Sequence, residues 1–370
     1  MKKKIAIIGA SYLQVPLILK AKEMGLETHC FAWEDGAVGK DLADFFYPIS
    51  ILEKDLILEK CEEIGIDGIT TIATDLAVPS ICYVAEKLQL ISNSYAAAII
   101  STNKLEMRKA FSEAKCSSPK FIEVLWNEIN IEDFSFPLIV KPADRSGSRG
   151  VSKVDSKEEL VKAIEYARNE SLSNTVLIEE YIDGVEVSVE SISWQGCHTI
   201  LAVTDKVTTG APHFVELEHH QPSSLPSAIL ETVKAETLRC LDALNVKYGA
   251  SHSEFKVTAD GKVFVIEVGA RMGGDFIGSN LVELSTGYDF VSGVINIAMN
   301  KYERPIILNE KYSGVYFLSK ESKTLLSYFE RYNDFEVQKE IQNSELKSLT
   351  NSNDRSGYLI YQADEKVLIC

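Results

Sequence analysis

The first part of the chain alternates short apolar runs with amphipathic segments. Apolar runs that predict buried strands lie at 4–10, 27–33 and 68–74. Hydrophobic positions at helical spacing predict helices over 13–24, 55–64 and 76–88. This alternation is typical of a parallel sheet with helices on both faces and ligands at the carboxyl ends of its strands. The turn at 9–14 lacks the second and third glycines of the dinucleotide fingerprint, so it gives NAD binding little support.

The following segments predict a small unit of short strands and helices. Thr102 or Asn103 can cap a helix over 104–114. Ser156 and Glu159 have the spacing of a capping box at the start of a second helix, and apolar strand patterns precede and follow that helix.

Longer strands are predicted after residue 184. Residues 185–206 predict two strands around Gln195-Gly196, and helices are predicted over 225–244 and 289–300. Residues 208–226 contain three prolines and three histidines without a clear period. Because long irregular segments inside compact domains are often functional, we expect a folded loop beside the active site there.

One hairpin carries the clearest chemistry. Residues 251–278 predict two strands joined at Asp260-Gly261 and followed by a glycine-rich turn with Arg271. Closing the hairpin at that turn makes Glu254 and Glu267 cross-strand neighbours. Two carboxylates this close repel each other unless a cation lies between them, and hard oxygen ligands suit Mg²⁺. The alternative is a surface hairpin with solvated acids.

A second candidate site is the glycine- and serine-rich turn at 145–150. Gly147 and Gly150 add no side chain, so backbone amides there can approach phosphate oxygens, and Lys141 supplies a point charge nearby. The alternative is a mobile hairpin tip.

Composition narrows the classes of function. The chain of 370 residues has a formal net charge of −16, which argues against nucleic-acid binding because phosphate backbones recruit basic surfaces. We expect no membrane span, since no apolar run is long enough for one. The seven cysteines form no CxxC pair, which predicts free thiols in a reducing cytoplasm rather than disulfides or a zinc site.

The order of these motifs resembles the ATP-grasp superfamily over nearly the whole chain. The segments that carry the resemblance are LIVKPADRSGSRGV, VLIEEYIDGVE, HSEF and IEVGARMGGD. They look most like carboxylate-amine ligases of the L-amino-acid ligase group, which share KPxxxxGSRGV, FVELxH and IEVGARxGGD. The resemblance implies an ATP-grasp fold of the α/β and α+β class. The units it implies are a Rossmann-like pre-ATP-grasp domain (1–94), connecting helices (95–118), a small lid domain (119–182), a large mixed-sheet domain (183–300) and a C-terminal β-rich subdomain (301–370).

The resemblance also implies roles for individual residues. Those that match ATP-binding positions are Lys104, Lys141, Ser146, Gly147, Ser148, Gly150, Glu179, Glu180, Tyr181, Ile182 and Glu186. In the family the lysines contact phosphates, the 146–150 loop closes over them, the backbone of 179–182 contacts adenine, and the acid at position 186 binds ribose hydroxyls. Glu254 and Glu267 match the ligands of Mg²⁺, with Mn²⁺ as the alternative ion. Lys141 and Arg271 match catalytic positions beside the transferred phosphate.

Contacts to the substrate are expected from a further group of residues. Its members are His213, Glu216, His220, Arg271, Gly273 and Gly274. Glu216 is a candidate partner for the amino group of an amino acid. The alternatives are satisfied loop histidines, a structural ion pair of Arg271 with Asp275 or Glu283, and a solvated helix position for Lys104.

The implied activity is ATP-dependent formation of an amide or peptide bond through an acyl phosphate. The expected partners are a small-molecule carboxylate and an amine, with a homodimer as the candidate assembly and the cytoplasm as the location. Two alternatives stay open: a purine-pathway ligase or carboxylase of the same superfamily that acts on a phosphoribosyl amine, and a non-catalytic nucleotide-binding module. Gly269 departs from the Asn that many ATP-grasp enzymes have two residues after the second metal-binding Glu, which removes one protein ligand from a second Mg²⁺ site.

Overall fold

The computed structural model describes residues 2–124, 131–145, 147, 149–308 and 311–369, whose strands form three sheets. The strands of the first sheet are β1 (Lys4–Ile8), β2 (Glu27–Phe31), β3 (Phe45–Tyr47) and β4 (Gly68–Thr70). They are parallel in the order β3-β2-β1-β4, as the alternating pattern predicted. The helices of this part are α1 (Val15–Glu23), α2 (Lys54–Ile64) and α3 (Val78–Leu88). Ile7 and Ile8 point into apolar clusters on opposite faces, which explains a strand without polar alternation.

The second sheet is antiparallel and small. Two helices, α4 (Tyr95–Thr102) and α5 (Lys104–Glu113), lead to its strands β5 (Phe121–Glu123), β6 (Leu138–Pro142), β7 (Ser152–Val154) and β8 (Val176–Glu180), and α6 (Lys157–Glu170) packs on it. The strand order is β5-β8-β6-β7. Asn103 caps α5 by accepting hydrogen bonds from two backbone amides of its first turn. The predicted capping box at Ser156 is absent, because Ser156 makes no cap hydrogen bond and Glu159 accepts one from the Asp155 amide instead.

The third sheet has eight strands and carries most of the candidate site. They are β9 (Val185–Trp194), β10 (Cys197–Thr208), β11 (Glu216–Gln221), β12 (Gly249–Val257), β13 (Val263–Gly269), β14 (Tyr312–Leu318), β15 (Glu336–Ile341) and β16 (Gly357–Ala363). Their order is β13-β12-β9-β10-β11-β14-β16-β15, with antiparallel neighbours. The strands after residue 300 therefore extend the same sheet. The helices of this part are α7 (Ser227–Ala243), α8 (Val282–Thr286), α9 (Phe290–Ala298) and α10 (Leu326–Phe329), with a π-helical turn at Ile277–Leu281 and 3₁₀ turns at Lys323–Leu325 and Ser352–Asp354.

The prediction of an irregular loop over 208–226 is wrong for its middle part. Glu216–Gln221 forms β11, which pairs with β10 on one side and β14 on the other. Its residues ELEHHQ carry no apolar period because both faces of the strand are polar, with His219 toward the cleft and Glu218 and His220 on the opposite face. Polar residues inside a central strand were therefore mistaken for a loop.

The two faces of the large sheet differ in chemistry. Val187, Val189 and Phe255 pack with α7 in an apolar cluster. The alternate positions of the same strands carry charged residues such as Glu186 and Glu254. A sheet with one apolar and one charged face holds ionisable groups on a rigid floor. In the described part of the chain, no helix has the length and apolar character needed to cross a membrane.

Candidate active site

A cleft opens between the second and third sheets. Its described walls include Lys104 and Lys141 on the side of α5 and β6, and Glu186, Lys206 and Glu254 on the large sheet. These residues are far apart in the sequence, and the pairing of the strands brings them together. Most of the residues predicted to bind a nucleotide therefore line one cavity.

The two acids of the hairpin face each other across its strands. Glu254 on β12 pairs in register with Glu267 on β13, beside a bulge that follows Glu254. The turn at 258–262 that joins the two strands contains Asp260-Gly261, as predicted. Both carboxylates line the cleft. Each carboxylate forms an ion pair with a lysine: Glu254 with Lys206, and Glu267 with Lys104.

Lys206 on β10 lies among three carboxylates. Its Nζ is 2.6 Å from Glu254 Oε1, 2.9 Å from Glu186 Oε1 and 3.6 Å from Glu216 Oε1. Burial alone would lower the pKa of Lys206, but the three carboxylates outweigh burial and raise it well above its ordinary value. The same ion pair outweighs burial at Glu254 and holds its pKa well below the usual range. Sequence reasoning missed Lys206, for which a single lysine inside a long strand was the available signal.

Lys104 and Lys141 are both buried and both paired. Lys104 Nζ lies 2.6 Å from Glu267 Oε1 and donates to the Arg145 carbonyl at 2.8 Å. Lys104 is only 7% exposed, so it is not a solvated helix residue. Lys141 Nζ lies 2.7 Å from Glu179 Oε2, and Arg108 binds the other oxygen of that carboxylate at 2.8 Å. Burial lowers the pKa of Lys141 to about 8, with Glu179 opposing the shift.

The segment after β8 forms one wall of the cleft. Glu180, Tyr181 and Ile182 line it, while the Glu179 side chain points to Lys141 and Arg108. Glu186 at the start of β9 pairs with Lys206 and, at 3.3 Å, with Lys256.

The glycine-rich turn reaches the same cleft. Gly147 lines it and has a positive φ of 67°, and Gly150 has a φ of 74°, a region that favours glycine. A Cβ on Gly150 would lie 3.0 Å from Pro142 and Glu170 atoms. The predictions for Ser146 and Ser148 lie outside the described residues.

Arg271 is held by an aspartate in the connection between β4 and α3. Its Nε and Nη2 donate to the two carboxylate oxygens of Asp75 at 2.9 and 2.8 Å. Burial disfavours the guanidinium charge, but Asp75 outweighs burial and raises the pKa of Arg271. Neither predicted alternative partner, Asp275 or Glu283, makes this ion pair. This ion pair explains why position 269 is a glycine, because a Cβ there would lie 2.6 Å from Asp75 Oδ1.

A second arginine comes from the C-terminal part of the chain. Arg355 Nη2 lies 3.0 Å from Glu216 Oε2, and its Nη1 lies 2.8 Å from Asp275 Oδ2. Its guanidinium stacks 3.7 Å above the Phe317 ring. Burial raises the pKa of Glu216, with Asp275 adding to the shift. Residues after 300 therefore help to form this end of the site.

The predicted substrate histidines are not brought together. His213 is exposed. His220 lies on the face of β11 opposite Lys206, where Tyr361 and Glu218 bind its ring nitrogens at 2.9 Å. His219 is the histidine on the cleft-side face, paired in register with Lys206. Its ring is fully buried, and neither ring nitrogen has a hydrogen-bond partner among the described residues.

A buried histidine and acid support the floor behind Glu254. His252 Nδ1 contacts Glu190 Oε1, and its Nε2 lies 3.2 Å from Glu254 Oε1. Burial would lower the pKa of His252, but Glu190 and Glu254 raise it to about 9. Gly273 donates its amide to Glu190 at 3.0 Å, and an added Cβ there would lie 2.7 Å from that carboxylate. A Cβ on Gly274 would make an ordinary 3.4 Å contact with Ala73.

Comparison with curated proteins identifies the domain. An ATP-grasp domain model matches residues 134–279. The chain is 26% identical over 269 residues to the carbamoyl phosphate synthase large chain of Thermoanaerobacter sp. (strain X514), which is 70% of this chain and 24% of that protein. It is 26% identical over 272 residues to alanine–anticapsin ligase of Bacillus subtilis (strain 168), which is 64% of this chain and 57% of that protein. The chain thus spans about a quarter of the length of the first relative and about half of the second.

Solved structures agree with this match over nearly the whole chain. An L-amino acid ligase from Bacillus licheniformis superposes with a TM-score of 0.82 at 23% identity, covering 98% of this chain and 94% of that one. A phosphoribosylglycinamide synthetase from Anaerococcus prevotii superposes with a TM-score of 0.79 at 21% identity, covering 99% and 95%. At these identities the superpositions establish the fold alone. Residues 134–279 match the ATP-grasp domain model, and the chain has the ATP-grasp fold, as the order of its motifs predicted.

Proposed function

We propose that this chain is an ATP- and Mg²⁺-dependent carboxylate-amine ligase that acts on an amino acid. The observation that carries the proposal is the cross-strand pair Glu254 and Glu267 on the floor of a cleft. Because that cleft also holds three buried lysines, it combines cation ligands with countercharges for phosphates.

The donor set fits a hard divalent cation. Glu254 and Glu267 offer carboxylate oxygens on rigid strands, which is the ligand type that Mg²⁺ prefers. Lys206 neutralises Glu254, and Lys104 neutralises Glu267. A cation held by Glu254 and Glu267 would supply positive charge to the phosphates of ATP. Gly269 adds no side-chain ligand for a second cation, so we propose a single cation at Glu254 and Glu267.

The nucleotide is proposed to bind beneath the glycine-rich turn. Lys104 and Lys141 supply charge to the phosphates, and the backbone of 180–182 forms the wall for adenine. Glu186 is the proposed partner of the ribose hydroxyls, held in place by Lys206 and Lys256. Gly147 and Gly150 give the turn the backbone freedom to cover the phosphates, which keeps water from a reactive intermediate.

The substrate end is proposed to lie where Arg271, Glu216 and Arg355 approach the phosphate end of the cleft. Arg271 uses three of its five N–H groups on Asp75 and the Met272 carbonyl, which leaves two for a carboxylate or phosphate oxygen. Glu216 is an acid that an ammonium group can neutralise. Burial and Lys206 keep the pKa of His219 well below its ordinary value, so its neutral ring can accept a hydrogen bond.

The proposed reaction has two steps. The substrate carboxylate attacks the γ-phosphorus of ATP, which forms an acyl phosphate and releases ADP. The amine then attacks the acyl carbon, which forms the C–N bond and releases phosphate and a proton. Catalysis needs alignment and countercharge more than a covalent nucleophile, and Lys141 and Arg271 are the groups proposed for that role.

The pairing of the lysines favours an amino acid over a phosphoribosyl amine. Lys104, Lys141 and Lys206 each have a carboxylate oxygen within 2.7 Å. A phosphoribosyl substrate would need further positive charge for its own phosphate. The cleft offers no unpaired cluster of that kind in the ranges that the structure describes.

The test is phosphate release from ATP and Mg²⁺ with amino acids, singly and in pairs. We expect release that depends on two amino acids, with turnover reduced at least about 100-fold in Glu267→Gln. The matched control is Glu231→Gln, an exposed acid on α7, which should keep full activity. Release with a phosphoribosylamine alone, or ATP binding without any turnover, would refute the proposal.

A further inference from the structure

Three metal-ligating side chains meet behind the hairpin, away from the nucleotide cleft. They are Cys116, Glu236 and Cys240, whose ligand atoms all lie within 4.8 Å of one another. All three residues are buried. None of the three residues has a role in the proposed ligase reaction.

The fold explains why these residues converge. Glu236 and Cys240 are four residues apart on α7, so they project from the same face of that helix. Cys116 lies in the connection between α5 and β5. Because Cys116 and Cys240 are distant in sequence, no spacing motif could reveal the pair.

The surroundings hold the carboxylate in place. Glu236 accepts a hydrogen bond from the Ser117 amide, and Arg239 lies 3.2 Å from its other oxygen. The two sulfurs border the apolar cluster beneath the large sheet.

A path from solvent reaches this cluster. Cys116 lines a surface cleft together with Ser112, Pro119 and Phe121. An ion can therefore reach the first sulfur without unfolding of α7. Released thiol protons can leave by the same path.

We propose that Cys116, Glu236 and Cys240 form a binding site for a thiophilic divalent cation such as Zn²⁺. Two thiolates and a carboxylate are a ligand set that such ions prefer, with water as the fourth ligand. Binding converts both thiols to thiolates and releases two protons to solvent. The two thiolates balance the charge of the ion, and the half-exposed Arg239 balances Glu236, so the site is neutral as a whole.

An ion at this site would stabilise the position of β13, the strand that carries Glu267. Ser117, next to Cys116, accepts a hydrogen bond from the Val265 amide at 2.8 Å and donates one to the Val263 carbonyl at 2.6 Å. The ion would therefore tie α7, this connection and the edge of β13 together. We expect a higher unfolding temperature when the site is filled.

The experiment adds Co²⁺ or Zn²⁺ to the reduced full-length chain after chelator treatment. We expect about one bound ion per chain and, with Co²⁺, thiolate-to-metal charge-transfer absorption. Cys116→Ser and Cys240→Ser should each abolish that absorption. Cys197→Ser, which removes an exposed cysteine, should leave the absorption unchanged. Circular dichroism checks that each variant is folded.

Several outcomes would overturn the site. The proposal is refuted if the wild-type chain binds no ion, or if its Co²⁺ complex lacks the charge-transfer band. Either result is decisive whatever the variants do. Absorption that persists in folded Cys116→Ser and Cys240→Ser would also reject the assignment.

Discussion

Asp75 accepts two hydrogen bonds from the guanidinium of Arg271, which joins the connection between β4 and α3 to the end of the β12–β13 hairpin. Both side chains are largely buried, at 13% and 15% exposure. The N-terminal part of the chain therefore helps to orient an arginine that we place beside the transferred phosphate. Gly269 leaves the space that the Asp75 carboxylate occupies.

Replacing Asp75 should misplace Arg271 without removing its charge. We expect Asp75→Asn to lower kcat/KM for the carboxylate substrate about 100-fold, because small displacements of an orienting group have effects of that size. Steady-state kinetics with a saturating second substrate measure the loss. Asp55→Asn, an exposed aspartate of the same domain, is the control and should behave as wild type. Full activity in Asp75→Asn would show that the ion pair has no part in catalysis.

Two neighbouring glycines should differ in their tolerance of a methyl group. Gly269→Ala forces a Cβ to within 2.6 Å of Asp75 Oδ1, whereas Gly274→Ala makes only a 3.4 Å contact. We expect the first change to lower the free energy of unfolding by about 1–3 kcal/mol and the second by less than about 0.5 kcal/mol. Urea unfolding measures both. Equal stabilities would contradict the steric account of Gly269.

Removal of the Lys206 charge should make the folded chain depend on added cations. Lys206→Met leaves three acids without their shared partner, so we expect the free energy of unfolding to fall by about 3–5 kcal/mol. Mg²⁺ should restore more stability to this variant than it adds to wild type, since the ion takes over the neutralisation of Glu254. Thermal unfolding with and without Mg²⁺ tests this. Lys262→Met, an exposed pair with Asp260, is the control. An identical Mg²⁺ response in wild type and Lys206→Met would refute the shared role.

Affinity for ATP should fall as the pH rises through about 8. Burial lowers the pKa of Lys141 to about 8, so the charge that we propose for phosphate binding is present below that pH and is lost above it. The unfolded chain keeps this lysine protonated up to its ordinary pKa of about 10.4, so stability should rise over that window while ATP binding weakens. The pH profile of kcat/KM for ATP measures the effect, and Lys141→Arg should remove this inflection. A wild-type profile that stays flat to pH 9.5 would be inconsistent with a lysine of lowered pKa at the phosphates.

Patterns that repeat along the chain were sufficient for much of the fold. An apolar run without alternation identified β1, and the turn at Asp260-Gly261 placed Glu254 opposite Glu267. Each of these features depends on neighbours within about thirty residues of sequence or on a strand period. Local chemistry therefore accounts for the parts that could be predicted.

Contacts between distant segments could not be predicted in this way. The ion pairs of Arg271 with Asp75 and of Arg355 with Glu216 join residues whose elements meet only in the folded chain. β11 was missed because both of its faces carry polar residues, so the strand lacks the expected hydrophobic positions. Lys206 was overlooked because its role depends on acids from three other strands.

The account is tested most directly by following the oxygen of the substrate carboxylate. Amino acids labelled with ¹⁸O in the carboxyl group are supplied in pairs with ATP and Mg²⁺, and the released phosphate is analysed by mass spectrometry. An acyl phosphate predicts that each phosphate formed carries one ¹⁸O atom, because the oxygen that attacks the γ-phosphorus leaves with it. Phosphate released without the label, or no phosphate with any pair, would contradict carboxylate activation in this cleft.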